Sequence, residues 1–438
     1  MEQSELFVIV ICALSCLGMI TAMLIRPKIV MRNVAIGTYW LFPLFGAVSV
    51  VLLRFIGIAE ISDGLFSDDA INPVKILILF LSMTVLSIFL DETGFFRYLA
   101  NAVLKRSGND QIRLFTAFYV TISIVTIFTS NDIVILTFTP FLCCFAKNAK
   151  IDPIPYLVSG FVAANTCSML LIIGNPTNIY LATSAGIGFM EYLKIMALPT
   201  LFAGTAAYLV MLLLFRGRLK GPVTGIAEDV VIEQRPLMIV ALGLLTIGTV
   251  LLAVSSYIRT EMWLIAFTAA VSLILAVSIY ALIHRKVPAE LGRTAKRVPW
   301  ELIPFVVSMF VIVLSLEKYE VTMQLASLFG NDDPVFVYGG ASVLFSNLVN
   351  NIPMSVLFSS VLAYVPADIA AGGVYASIIG SNIGAFVTPV GALAGIMWIS
   401  ILRSNGIEFS FASFMKYGII IAVPVLLAAL IGLSLTGV

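Results

Sequence analysis

Asp132 is the one acidic residue set inside an otherwise apolar element. It follows Phe128-Thr129-Ser130-Asn131 and separates two apolar runs, residues 114–128 and 133–145. Neither run reaches the roughly 20 residues that a helical crossing of a bilayer needs. A carboxylate at membrane depth costs about 2.5 to 3.5 kcal/mol even on the lenient insertion scales, so such a position is a site candidate by default. In low dielectric it could carry a proton, or bind Na⁺ and stay ionised. A second polar break, Phe345-Ser346-Asn347-Leu348-Val349-Asn350-Asn351-Ile352-Pro353, interrupts another apolar region in the same manner. Ion coupling is therefore expected at Asp132, Ser130, Asn131, Asn350 and Asn351.

Two more breaks follow these. One runs from Asn165-Thr166 through Gly174-Asn175-Pro176-Thr177-Asn178, the other from Ser381-Asn382 through Thr388-Pro389-Val390-Gly391. Hairpin tips and unwound helices present half-helix N-termini that attract anions and bare carbonyls that coordinate small cations. Asn165, Thr166, Gly174, Asn175, Thr177, Asn178, Asn382, Thr388 and Gly391 are accordingly expected to bind substrate through neutral oxygens, amide donors and exposed backbone. The plainer alternative is that single asparagines only cap broken helices. Of the five cysteines, Cys12, Cys16, Cys143 and Cys144 read as small buried hydrophobes. Cys167, two residues after Asn165, is the one thiol placed to matter. No Cys/His group has metal-ligand spacing, so neither a metal nor a cofactor is expected beyond the coupling ion, proton or sodium.

The elements that must position these residues are membrane helices. Of the 438 residues 60% are hydrophobic and 11% charged, against about 25% charged in soluble proteins. A net charge of +1 gives no reason to expect nucleic acid. The expected fold is an all-α polytopic membrane protein. Residues 6–25 read as a retained span rather than a signal peptide, because Glu2 and Glu5 precede them instead of a basic stretch. Arg26, Lys28 and Arg32 mark the far end of that span as cytoplasmic. Residues 34–58 read as a second span, returning to an acidic loop with Glu60, Asp63, Asp68 and Asp69. Only Arg54, Lys75, Lys194, Arg259 and Lys318 then face outward, out of 25 lysines and arginines, and both chain ends lie outside.

On this layout residues 1–58 hold the leading spans. Residues 59–216 form a first repeat, with a re-entrant hairpin at 113–147 and a broken helix at 154–183. A cytoplasmic linker bearing Glu228, Asp229 and Glu233 occupies 217–235. Residues 236–298 hold the second half's leading spans and a basic loop that contains the single histidine, His284. A second repeat fills 299–438, with a hairpin at 335–364 and a broken helix at 375–402. The first hairpin opens from inside and the second from outside, the signature of inverted repeats. Register agrees: Asn165 and Gly174 are nine residues apart, as are Asn382 and Gly391. Asp91 and Glu92 sit at a membrane edge, where an interfacial cap or a pair with Arg97 is expected.

Leu90-Asp91-Glu92-Thr93-Gly94-Phe95-Phe96, Ser130-Asn131-Asp132 with Thr137 and Thr139-Pro140, Asn350-Asn351-Ile352-Pro353, and Thr388-Pro389-Val390-Gly391-Ala392-Leu393-Ala394 resemble the arsenite and antimonite efflux permeases. These belong to the ion transporter superfamily, together with sodium-coupled dicarboxylate and sulfate symporters. The resemblance implies a substrate site between the two tips and the two broken helices, elevator-like alternating access, proton-driven export from the inner membrane and a homodimer. It also implies a cytoplasmic ATPase as partner in some relatives; the chain has no Gly-x-x-x-x-Gly-Lys-Ser/Thr loop of its own. Asn165 and Asn382 stand where those permeases tend to carry acids, which moves the site toward the amide-rich style of anion symporters. The leading expectation is a secondary transporter exporting arsenite, antimonite or a similar small oxyacid or oxyanion. Its rivals are a sodium-coupled symporter of sulfate, phosphate or a dicarboxylate, and a passive anion channel. An enzyme is not expected, since the apolar segments hold no nucleophile–base pair.

Overall fold

The computed structural model describes residues 2–31, 34–66, 72–108, 110–223, 232, 234–330 and 332–438. Arg32, Asp68 and Asp69, and Glu228, Asp229 and Glu233 of the linker, lie outside the described residues. The fold is all-α apart from one small ribbon. The chain opens with α1 (Glu2–Ile25), then β1 (Lys28–Met31) and β2 (Val34–Gly37), paired antiparallel with Lys28 opposite Gly37. α2 (Leu41–Leu52) and α3 (Ile58–Phe66) follow. The second span expected over 34–58 is thus a strand and a twelve-residue helix. Short apolar runs flanking Arg32 and Asn33 fit a ribbon as well as a helix, and periodicity cannot separate the two.

A series of elements then occurs twice. The first copy is α4 (Pro73–Glu92), α5 (Phe95–Ser107), the hairpin α6 (Gln111–Phe128) and α7 (Asn131–Ala149), α8 (Ile154–Cys167), two 3-10 turns, α9 (Pro176–Ser184) and α10 (Phe189–Phe215). Between the copies lie α11 (Arg235–Ala253), α12 (Met262–His284) and α13 (Ala289–Arg297). The second copy is α14 (Leu302–Lys318), α15 (Val321–Phe329), the hairpin α16 (Pro334–Val349) and α17 (Asn351–Leu362), α18 (Ala367–Gly384), α19 (Leu393–Ser404) and α20 (Phe411–Ser434). Among the described residues nine helical stretches are long and apolar enough to cross a membrane.

Packing exchanges the halves. α11, α12 and α13 lie along α4 of the first copy, while α1 and α2 lie along α14 of the second. α9 packs on α17 and α19 on α7, so each broken helix reaches the other copy's hairpin. α10 and α20 run together beneath them. The short helices α5 and α15 each start from a left-handed residue, Gly94 at φ 87° and Glu320 at φ 63°. For a side chain that conformation costs about 1–2 kcal/mol, which glycine avoids and Glu320 does not.

Candidate functional site

Asn165 on α8 and Asn382 on α18 use their amides alike. Each Nδ2 donates to the carbonyl four residues back, Phe161 and Ile378, at 2.8 Å. Folding the carboxamide onto its own helix leaves Oδ1 turned outward to accept. Asn165 Oδ1 accepts from Asn131 Nδ2 at 3.1 Å, which ties the first hairpin tip to the first break. Asn382 Oδ1 accepts from Ser168 Oγ (3.0 Å) and Asn175 Nδ2 (2.9 Å), and Asn382 Nδ2 donates to Asn178 Oδ1 at 2.7 Å. The Thr177 and Ser381 hydroxyls meet at 3.0 Å. Asn382 is therefore the hub through which the second broken helix grips the first, and Asn165, Thr166, Ser168, Asn175, Thr177, Asn178, Ser381 and Asn382 are all fully buried.

The first break holds its shape by local means. Asn175 caps α9 by accepting from the Thr177 N–H at 3.2 Å, with Pro176 at the first helical position, where its missing N–H costs nothing. Asn178 Nδ2 donates back to the carbonyls of Ser168 and Leu171, satisfying acceptors that unwinding leaves bare. Gly174 passes so close that a Cβ there would stand 2.1 Å from the Ser168 carbonyl oxygen. Gly391 repeats this in the second break, 2.5 Å from the Gly384 oxygen. Backbone that tight admits only glycine.

The second tip and break form a separate group. Asn350 takes φ 75°, and its Nδ2 donates to the Val390 carbonyl at 2.9 Å. The Asn351 N–H donates to the Gly391 carbonyl at 3.1 Å. Thr388 donates through both N–H and Oγ1 to Asn347 Oδ1, at 3.0 and 2.6 Å. Thr388 thus meets the tip through Asn347 and Gly391 through Asn351, neither of them through the Asn382 hub. Asn347 and Ser168 were absent from the residues selected by sequence, although both lie inside the breaks. Only their polarity within an apolar segment marked them.

Ser130 takes the N-cap position of α7 without a capping bond, and Asp132 stands in the first turn. Among the described residues Asp132 makes no hydrogen bond or ion pair. The positive end of α7 is its nearest fixed compensation. The Thr166 hydroxyl is buried and has no hydrogen-bond partner among the described residues. Cys167 is buried beside Gly204 of α10 and shares no hydrogen bond with the amide cluster among the described residues. No lysine, arginine or histidine occurs in any of the four breaks. A cavity of about 550 Å³ lies away from them, where Lys75, Arg259 and Glu261 meet at the starts of α4 and α12. Asp91 and Glu92 pair with Arg297 and Arg293, not with Arg97.

Two hairpin tips meet two broken helices in this all-α fold. A model of the citrate transporter family matches residues 13–373, and the chain belongs to that family. It is similar to the arsenical pump membrane protein of Escherichia coli, 27% identical over 81% of this chain and 85% of the relative. The 46 kDa membrane protein of Mycobacterium leprae is 27% identical over 90% and 92%. Among solved structures, the YdaH transporter of Alcanivorax borkumensis superposes with a TM-score of 0.55 at 14% identity, over 99% of this chain and 98% of that one. MtrF of Neisseria gonorrhoeae gives 0.52 at 12% identity, over 98% and 94%. These two show the shared fold. The chain is a multi-pass membrane anion transporter.

Proposed function

We propose that the chain is a secondary active transporter exporting a small oxyacid or oxyanion of the arsenite/antimonite type across the inner membrane, in exchange for protons. The observation that carries this reading is a buried cluster of amides and hydroxyls, with Asp132 next in sequence to its member Asn131 and no cationic side chain in any of the four breaks. Such a site suits a neutral, polyhydroxylated solute, which needs hydrogen-bond partners but no counter-charge. The names of the relatives support the same class.

In this reading Asp132 carries the proton, with Ser130, Asn131, Asn350 and Asn351 around the ion. The Thr166 hydroxyl waits for a solute oxygen. Asn175 and Asn178 bond Asn382, Asn165 bonds Asn131 and the Thr177 hydroxyl bonds Ser381, and these side chains would exchange those bonds one for one with solute hydroxyls. That exchange keeps buried polar groups satisfied throughout. The two copies form inverted repeats with both chain ends outside, and the core of hairpins and broken helices moves against the remaining helices as an elevator. A homodimer, and an ATPase partner, belong to the same proposal.

A second reading is sodium-coupled symport of a divalent anion, sulfate, phosphate or a dicarboxylate; the description of the family as citrate transporters supports a carboxylate solute and says nothing of the coupling ion. Proteoliposomes separate the two. Arsenite, sulfate, phosphate and citrate are offered under a proton gradient or a sodium gradient alone. Arsenite flux that follows the proton gradient supports the proposal. Sodium-driven movement of a dianion with arsenite inert overturns it in favour of symport, and flux independent of either gradient means a channel.

A further inference from the structure

The C-terminal ends of α4 and α14 carry matched contacts to the hairpins. At the end of α4, Asp91 Oδ2 accepts from the Thr137 hydroxyl of α7 at 2.7 Å. At the end of α14, Glu317 Oε2 accepts from the Ser360 hydroxyl of α17 at 3.0 Å. In both copies the next residue is charged and pairs with a short helix outside the copy's hairpin and broken helices. Glu92 binds Arg293 and Arg297 of α13, and Lys318 binds Glu60 of α3 at 2.8 Å. A left-handed residue, Gly94 or Glu320, and a short helix follow each time. The same three-part arrangement occurs at sites 226 residues apart in sequence, counted from Asp91 to Glu317.

We propose that Asp91–Thr137 and Glu317–Ser360 are paired latches, and that Asp91 and Glu317 are positioning residues that hold each hairpin's second arm against α4 or α14. Transport then requires one latch to open while the other holds. The chemistry suits a reversible contact. Asp91 stays paired with Arg297 of α13 at 2.7 Å when Thr137 departs, so opening breaks one hydrogen bond without stranding a buried charge, which would be far costlier. Glu317 is only half-buried, and water can replace Ser360. Neither hydroxyl belongs to the amide cluster, so the latches act on hairpin position rather than on solute.

This inference rests on the reading of the copies as oppositely oriented repeats, which places the two latches at opposite faces. The test uses the full chain with its five cysteines replaced and one reporter added, Thr129→Cys at the first tip or Ile352→Cys at the second. Proteoliposomes are labelled with an impermeant maleimide from either side. Thr137→Val should raise labelling of the first reporter about tenfold from one face, and Ser360→Ala that of the second from the other, as loss of a charge-assisted hydrogen bond shifts a two-state equilibrium by that order. Thr137→Ser and Ser360→Thr keep the hydroxyl and should label as the parent does. These rescues separate a latch from simple damage to the fold. Reporters that label from opposite faces but ignore both substitutions overturn the latches and leave the repeats standing. Reporters that label from one face overturn the repeat reading itself.

Discussion

Replacing Asn382 by leucine, which has the same branching and number of side-chain heavy atoms, tests whether the hub binds the two halves together. The substitution removes the acceptor of Ser168 and Asn175 and the donor to Asn178. Ser168 keeps a partner, because its hydroxyl also reaches the Asn165 carbonyl at 2.9 Å. Asn175 Nδ2 and Asn178 Oδ1 are left buried and unmatched. Two such groups cost about 2–6 kcal/mol at about 1–3 each. Interhelical hydrogen bonds in membranes average nearer 0.6 kcal/mol, so three lost bonds set a floor of about 2. The higher figure should apply, since Asn175 and Asn178 are fully buried and water cannot replace the lost partner. A loss of about 3 kcal/mol in a chain of 438 residues corresponds to a fall in Tm of roughly 3–6 °C. Asn165→Leu strands only Asn131 Nδ2 and should cost less than half as much. The assay is fluorescence-detected size exclusion after heating in detergent. A shift for Asn382→Leu within 2 °C of zero, or smaller than that for Asn165→Leu, would refute the hub.

Gly174→Ala and Gly391→Ala each drive a methyl into a backbone oxygen that cannot swing aside. Each should destabilise by about 1–3 kcal/mol or more, visible as loss of monodisperse protein, while Gly243→Ala, where nothing lies within 4 Å, should behave as wild type. Glu320→Gly relieves a left-handed side chain worth about 1–2 kcal/mol, less about 0.5–1 for glycine's freedom when unfolded. A small rise in Tm is expected, and a fall contradicts the strain. Arg259→Glu at the charged cavity should raise KM about threefold or more for a dianion through lost steering and leave KM for neutral arsenous acid unchanged, as initial rates would report.

Much of the amide cluster was legible because an apolar chain makes each polar residue conspicuous. Asn131, Asn165, Asn350 and Asn382 stood out against leucine and isoleucine, and the shared nine-residue spacing to Gly174 and Gly391 paired the breaks. What stayed hidden depends on partners distant in sequence. Nothing local to Asp91 points to Arg297, and Arg97, six residues on, is the cation nearer in sequence. Asn382 has no sequence mark as a hub, since Ser168, Asn175 and Asn178 lie more than 200 residues away. The strand Val34–Gly37 reads in sequence as the start of a span, because so short an apolar run shows no helical period.

The central claim is that Asp132 couples ion movement to the solute held by the amide cluster, and arsenite accumulation in everted vesicles tests it most directly. Wild type should accumulate arsenite when the lumen is acidic and stop when the gradient is collapsed, while Asp132→Asn, folded as judged by its Tm, should accumulate none. Undiminished, gradient-driven accumulation in Asp132→Asn would contradict the claim.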